Sequence, residues 1–263
     1  MYRNRLILIV SLAVIASLML FIACNRSTAG KQSASTQSAS SSSPTVYEIP
    51  QVDLTKYDGV RAKIDAERVA LFSRYQRATT GEQKEIINRA RDTFTRSIYA
   101  EIFPYWYGTP WDFNGTTESP RKGKIACGYF VSTALRDLGV KVQRAKLAQQ
   151  ASENIILSLT TNEHTKRFRQ TSIQDFVQAV KKWGPGLYVV GLDIHVGFIV
   201  NTDDDVYFIH SSYVDPYRVI KERGVESKIL TSSRYRVLGK LSEDDDLILK
   251  WLTGNEFTTR TSG

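Results

Sequence analysis

Cysteine and histidine are scarce in this 263-residue sequence, which holds two cysteines and three histidines. Two cysteines, Cys24 and Cys127, are too few for the disulfide framework of a small secreted scaffold. No H-E-x-x-H or similar zinc spacing occurs, and no basic and aromatic motif of a known nucleic-acid-binding fold occurs either. The sequence therefore predicts no metal, no cofactor and no nucleic-acid partner.

The chain begins with a segment that is typical of protein export. Arg3 and Arg5 precede an apolar run of roughly 18 residues, just long enough to span a bilayer, and the run stops at Cys24. Its last residues, FIAC, resemble the lipobox of bacterial lipoproteins, in which the cysteine is lipidated and becomes the new N-terminus. We therefore predict a lipoprotein signal peptide over residues 1–24, with an uncleaved transmembrane anchor as the alternative.

Residues 25–50 are dominated by Ser, Thr, Ala and Gln, and almost no apolar side chain occurs before Val46. Such a segment cannot bury enough apolar surface to offset the entropy of ordering, so we predict a flexible Ser-rich tether. Together, the tether and the lipidated Cys24 predict a protein in the cell envelope, lipid-anchored to a bacterial membrane and facing the periplasm or exterior.

The net charge is positive. The formal charge of +8 falls to +6 without Arg3 and Arg5, which indicates mild attraction to anionic cell-wall polymer or lipid head groups.

The remaining residues, about 210, suffice for one domain with a substantial core. Apolar spacing predicts a helical N-terminal segment over residues 51–102, an irregular aromatic segment over 103–115 and a helix that starts at Cys127. Further helices are expected over about residues 145–158, after Thr171 or Ser172 and in the closing DDDLILKWLTG. Short β-branched and aromatic runs read as strands, namely LYVVGL, HVGFIV, DVYFIH, YRVIKE and RYRVLGKL. Helices first and strands afterwards predict an α+β fold with a mainly antiparallel sheet.

Cys127 would be the one unpaired thiol of the exported chain, and it lies in the first turn of a predicted helix, where thiolate is favoured. His195 opens one predicted strand and His210 closes the next. A hairpin centred between Thr202 and Asp203 would place the two imidazoles directly opposite, with Cβ atoms about 5 Å apart. We expect Cys127 to act as nucleophile, His195 as base and His210 as the group that orients the base.

Structural alternatives exist for each of these residues. A lone cysteine before GYFV is often a small buried residue, and a histidine among apolar strand residues is often a hydrogen-bonded part of the core. A metal site would combine His195 and His210 with Asp193 or Asp203, although no known zinc spacing supports it. The combination of the thiol with both histidines favours catalysis.

A series of short motifs lies in one order along the chain: GTPWDFNG, ACGYFVSTAL, QRAKLAQQ, WGPGLYVV, HVGFIV and FIHSS. Over roughly residues 105–215 this series resembles the NlpC/P60 family of papain-like cysteine peptidases. The resemblance implies a papain-like NlpC/P60 core over residues 103–255, with N-terminal helices packed on the sheet and residues 51–102 as an added helical segment. It also implies hydrolysis of an amide bond in peptidoglycan stem peptides through a Cys-His-His site.

Three features depart from the family pattern. Ala126 stands where the family usually has Asp, and Gly128 with Tyr129 stands where it usually has Ser-Gly. Trp111 takes the position of a family tyrosine that is thought to assist near the oxyanion, and an indole N–H can donate but cannot accept a hydrogen bond. By the resemblance, Trp111, Gly128 and Tyr129 are expected to contact substrate or oxyanion.

Two other functions stay open on the sequence. A catalytically silent envelope lipoprotein would bind cell-wall polymer or a protein partner through the aromatic residues from Tyr105 to Phe113. A papain-like lipid acyltransferase or thioesterase would use the same thiol on an acyl chain. The expected partners are thus a peptidoglycan peptide and a membrane, and the sequence indicates no oligomeric state.

Overall fold

The structure is a computed structural model that describes residues 47–261. The predicted signal peptide over residues 1–24, with Cys24, lies outside the described residues, and so does the predicted tether up to residue 46. Between residues 47 and 261, no helix is long and apolar enough to cross a bilayer.

Helices dominate the first part of the described chain and recur between the strands. Their bounds are α1 Tyr57–Tyr75, α2 Thr80–Arg96 with a π-helical continuation Ser97–Ile102, α3 Phe103–Trp106, α4 Cys127–Asp137, α5 Arg144–Ala148, α6 Ser152–Leu159, α7 Ile173–Trp183, α8 Lys228–Ser232 and α9 Asp245–Thr253.

The strands form one six-stranded antiparallel sheet and one small parallel pair. Their bounds are β1 Lys141–Val142, β2 Thr165–Arg169, β3 Gly186–Leu192, β4 Val196–Asn201, β5 Val206–Ser211, β6 Val219–Arg223, β7 Tyr235–Lys240 and β8 Glu256–Phe257. The large sheet has the order β2-β7-β3-β4-β5-β6, and β1 pairs with β8. An α+β fold with a mainly antiparallel sheet is therefore confirmed.

Helices cover both faces of the large sheet. On one face α4 and α6 lie against the strands, with α1, α2 and α9 packed in the same core, and on the other face α7 and α8 enclose a second core. Because both faces are covered, β3 and β4 are buried almost throughout instead of alternating between apolar and polar residues. This packing holds α4, with Cys127 at its start, against β4 and β5.

The predicted strands and most predicted helices are present, but two local features differ. The helix expected over residues 145–158 is two helices, because the chain turns between Ala148 and Ser152. Strand β2 was not predicted, since its residues Lys166, Arg167 and Arg169 are exposed and give no apolar alternation. Charged residues of this kind are typical of an edge strand, which is the position of β2.

The N-terminal helices share one core with the rest of the described chain. The buried hydroxyl of Tyr57 in α1 donates to Oδ2 of Asp137 in α4 (2.7 Å) and accepts from Nε1 of Trp106 in α3 (2.7 Å). Farther along α1, Arg68 donates to the carbonyl of Leu252 at the C-terminal end of α9 (2.9 Å). The predicted ranges 51–102 and 103–255 thus fold as one compact unit.

We expect Tyr57→Phe to lower the free energy of unfolding by about 1–3 kcal/mol, because it leaves the Trp106 N–H and a buried Asp137 oxygen without their partner. Urea unfolding of the full chain would measure the change. The matched control is Tyr75→Phe in the same helix, where the hydroxyl has no hydrogen bond within residues 47–261, so the effect should stay within about 0.5 kcal/mol. Equal stability of Tyr57→Phe and the parent would contradict the shared core.

Candidate active site

Cys127 opens α4 at the end of a loop that backbone hydrogen bonds hold in place. The N–H of Ile125 donates to the carbonyl of Pro110 (2.9 Å), and the carbonyl of Ile125 accepts from the hydroxyl of Ser211 at the end of β5 (2.7 Å). The residues before the helix are therefore tied to the strand that carries His210. The Cys127 side chain is half-buried.

Gly128 lets the first turn of α4 approach the end of α5. A Cβ at Gly128 would overlap the carbonyl oxygen of Ala148, so no larger residue fits without a backbone shift. The close approach brings Gln149, just after α5, to the same cavity as Cys127. The glycine that departs from the family pattern is thus a packing requirement in this chain.

The predicted pairing of the two histidines is wrong, but they still meet. Phe198 pairs with Ile209 in the β4–β5 ladder, and this register puts His210 opposite Gly197 instead of His195. The partner is displaced by two residues, and a displacement by an even number leaves side chains on the same face of the sheet. The two imidazoles therefore approach along a diagonal.

Gly197 makes that diagonal contact feasible. A Cβ at Gly197 would lie 2.7 Å from the ring of Phe208 and 2.8 Å from Cβ of His210, which is closer than side chains approach. The glycine of the HVG motif is thus explained by the space that His210 and Phe208 need. The two imidazole rings stand perpendicular, at 89°, with centroids 5.1 Å apart.

Two buried histidines and the largely buried Glu222 form one hydrogen-bonded series. Nε2 of His195 lies 3.0 Å from Nδ1 of His210, and Nε2 of His210 lies 3.1 Å from Oε1 of Glu222 on β6. The ring of His210 also stacks on Phe208, with centroids 4.0 Å apart, which fixes its plane. Nδ1 of His195 has no hydrogen-bond partner within the described chain, so it is the ring nitrogen left for chemistry.

The thiol lies next to the His195–Val196 peptide. The backbone N–H of Val196 acts to lower the pKa of the Cys127 thiol, and Cys127 and His195 line the same cavity. Burial raises the pKa of the Cys127 thiol, while hydrogen bonds from the N–H groups of Val196, Gly128 and Cys127 act in the opposite direction. Burial outweighs these N–H groups, so the thiolate expected from the sequence is not favoured at rest.

Both histidines are held neutral by their surroundings. Burial lowers the pKa of His195 well below its usual value, and the neighbouring His210 lowers it further. Burial also lowers the pKa of His210, against the opposing effect of the Glu222 carboxylate. A neutral imidazole with a free nitrogen beside a neutral thiol can take the thiol proton as the sulfur attacks a carbonyl.

A cavity of about 640 Å³ opens at the thiol. Its lining contains no Lys, Arg, Asp or Glu side chain and is largely aromatic and apolar. Two large apolar side chains of this lining are exposed to solvent, Phe113 at 80% and Ile194 at 78%. A smaller cavity of about 280 Å³, with Asp193 in its lining, also borders Cys127 and His195.

The residues expected to contact substrate or oxyanion all lie at this cavity. Trp111, Gly128 and Tyr129 all line it. The hydroxyl of Tyr129 accepts a hydrogen bond from Nε2 of Gln149 (3.2 Å). The structure therefore brings Trp111, Gly128 and Tyr129 together with Cys127 and His195.

The other aromatic residues near Trp111 have a different role. Trp106 and Tyr107 are buried in the core, whereas Phe113 lies exposed at the cavity. Core packing thus accounts for much of the aromatic segment that the sequence offered as a binding surface.

Sequence reasoning missed Glu222 and Tyr213. Glu222 lies in the run YRVIKE, whose pattern predicts a strand but not which neighbour its residues face. Tyr213 follows His210 by three residues, lines the larger cavity, and packs its ring against His195 with centroids 5.1 Å apart. A polar aromatic residue shortly after His210 in FIHSSY was the available signal.

No group of three or more Cys, His, Asp or Glu side chains among residues 47–261 is arranged to hold a metal ion. Comparisons with protein-family models, curated proteins and solved structures found no match to this chain.

We expect alkylation of Cys127 to be slow at neutral pH and to accelerate through the alkaline range, because its raised pKa leaves little thiolate near pH 7. Mass spectrometry of the Cys127 peptide after iodoacetamide treatment, from about pH 6 to about pH 10, gives the rates. The urea-unfolded chain serves as control and should accelerate at lower pH. Rapid alkylation that persists in the folded chain at about pH 5 would instead indicate a resting thiolate.

Proposed function

We propose that this protein is a membrane-tethered cysteine hydrolase that cleaves an amide bond in peptidoglycan stem peptides. The observation that carries the proposal is the 3.0 Å contact between His195 and His210 beside a half-buried thiol at the start of a helix. A papain-like NlpC/P60 core is part of the proposal. It is supported by the ordered motifs and by a cysteine-bearing helix packed on an antiparallel sheet that carries the histidines.

The proposed reaction has two steps. His195 accepts the proton of Cys127 at Nδ1 while the sulfur attacks the amide carbonyl, and the N–H groups at the start of α4 stabilise the oxyanion. The imidazolium then protonates the leaving amine as the C–N bond breaks and a thioester remains. A water molecule attacks the thioester while His195 takes its proton. Release of the acid returns the proton to sulfur.

The proposed location follows from the sequence. Lipidation of Cys24 would anchor the chain to a bacterial membrane, and residues 25–50 would act as a tether that lets the domain reach the cell wall. The wall peptide is the proposed substrate partner, and the membrane is the proposed site of attachment.

A second candidate function is acyl transfer or thioester hydrolysis on a lipid. The observation in its favour is the larger cavity, which has no charged lining side chain and two exposed apolar residues, Phe113 and Ile194. Such a lining suits an apolar acyl chain at least as well as a peptide.

We expect Cys127→Ala and His195→Ala each to reduce digestion of purified cell wall by about 1,000-fold or more, because nucleophile and base act as a unit. Soluble products released by the full chain would be quantified by mass spectrometry. His164→Ala is the matched control, since His164 lies outside both cavities and should leave digestion unchanged. Digestion by Cys127→Ala at the parental rate would eliminate the proposed mechanism.

A mixture of muropeptides and acylated lipids separates the candidate functions. We expect new amide-cleavage products from the muropeptides. Loss of acyl groups from lipid alone would favour the second candidate. Turnover of neither class, with retention of wall polymer on the protein, would favour the catalytically silent envelope lipoprotein.

A further inference from the structure

We propose that Glu222 is a positioning residue that sets which ring nitrogen of each histidine carries its proton, and so keeps Nδ1 of His195 free. The use of that free nitrogen as a base rests on the proposed function. The state of the two rings can be measured without any substrate.

The direction of the hydrogen bonds follows from the chemistry of Glu222. A carboxylate can only accept, so Nε2 of His210 must carry a hydrogen and donate it. A neutral imidazole carries one ring hydrogen, which leaves Nδ1 of His210 as an acceptor. Nε2 of His195 must then be the donor across the 3.0 Å contact. Nδ1 of His195 is left with a lone pair and no hydrogen.

The histidine pair alone does not fix this direction. If each ring instead carried its hydrogen on Nδ1, Nδ1 of His210 would donate to Nε2 of His195, and the hydrogen bond between the rings would be equally good. Nδ1 of His195 would then carry a hydrogen and could not accept the thiol proton. The choice between the two arrangements therefore depends on Glu222, which is the group beyond His210.

The position of Glu222 favours the arrangement in which Nε2 of His210 carries the hydrogen. Its side chain is only 10% exposed, and within the described chain its only ion-pairing partner is His210. Pairing of Glu222 with Phe208 across β5 and β6 puts its side chain on the same face as His210. Other titratable groups near this series in the described chain are Tyr47, whose pKa is raised by burial and by the Glu222 charge, Cys127 and Tyr213 beside His195, and Asp193, which lines the smaller cavity with His195.

The test is the protonation state of the histidine rings in the full chain, read from 15N chemical shifts after histidine labelling, with His164→Ala to identify the third ring. At neutral pH we expect an unprotonated Nδ1 and a protonated Nε2 on both His195 and His210. Glu222→Leu should give His195 a protonated Nδ1 in a substantial fraction of molecules. Wall digestion should then fall by about 10- to 100-fold, as when the partner of a metal-bound histidine is removed.

The control variant is Glu226→Leu, which removes a nearby exposed glutamate that pairs with Arg223 and not with a histidine. It should leave the ring signals and digestion unchanged. Glu222→Gln keeps an oxygen acceptor, so it should retain more of the parental ring state and activity than Glu222→Leu. Its missing charge should lower the pKa of His210 further, because the Glu222 carboxylate raises that pKa.

Two results would overturn the proposal. One is a protonated Nδ1 on His195 in the parent protein, which needs no variant to fold. The other is a folded Glu222→Leu with parental ring signals. If the ring states follow Glu222 as expected while Cys127→Ala still digests wall, the proposed function fails and the role of Glu222 stands.

Discussion

The hydrogen-bonded series from Glu222 through His210 to His195 is the constraint on which the site depends. Its members come from neighbouring strands or their ends, so β4, β5 and β6 must lie side by side in one register. A slip of one residue between β4 and β5 would turn one imidazole to the opposite face. Such a slip would also move apolar strand residues between two distinct cores. The packing of helices on both faces therefore protects the register that the site needs.

Burial gives the site its resting charge state. It lowers the pKa values of both histidines and raises that of Cys127, so thiol and imidazoles are all favoured in their neutral forms. A helix N-terminus by itself would favour a thiolate, but the three N–H groups around the sulfur do not outweigh its loss of solvent. In the proposed reaction, charge separation would therefore arise only as the sulfur attacks, when the imidazole and the start of α4 could stabilise it. This arrangement suits a general-base mechanism better than a preformed ion pair.

Residue type and position at the ends of elements pointed to Cys127, His195 and His210 as candidate site residues. The contact between the two histidines was predicted through an incorrect register, and the histidines still come together because the error was an even number of residues. Glu222 could not be found this way, since YRVIKE indicates a strand without indicating which residue of β5 it faces. The order of elements predicted the α+β class. The apolar stripe of α7 did not reveal that it covers the second face of the sheet.

The neutral lining of the larger cavity limits what can bind next to the thiol. A carboxylate brought into it would lose hydration without meeting a cationic side chain, which is unfavourable. In the smaller cavity, Asp193 already accepts hydrogen bonds from the N–H groups of Arg234 and Tyr235, and its charge would repel a second acid. On the proposed function, the acidic groups of a stem peptide would therefore lie outside both cavities, and the group nearest the reacting carbonyl would be uncharged. Peptide amides and lipid acyl groups share that property, which is why the identity of the products discriminates between them better than the shape of the cavity.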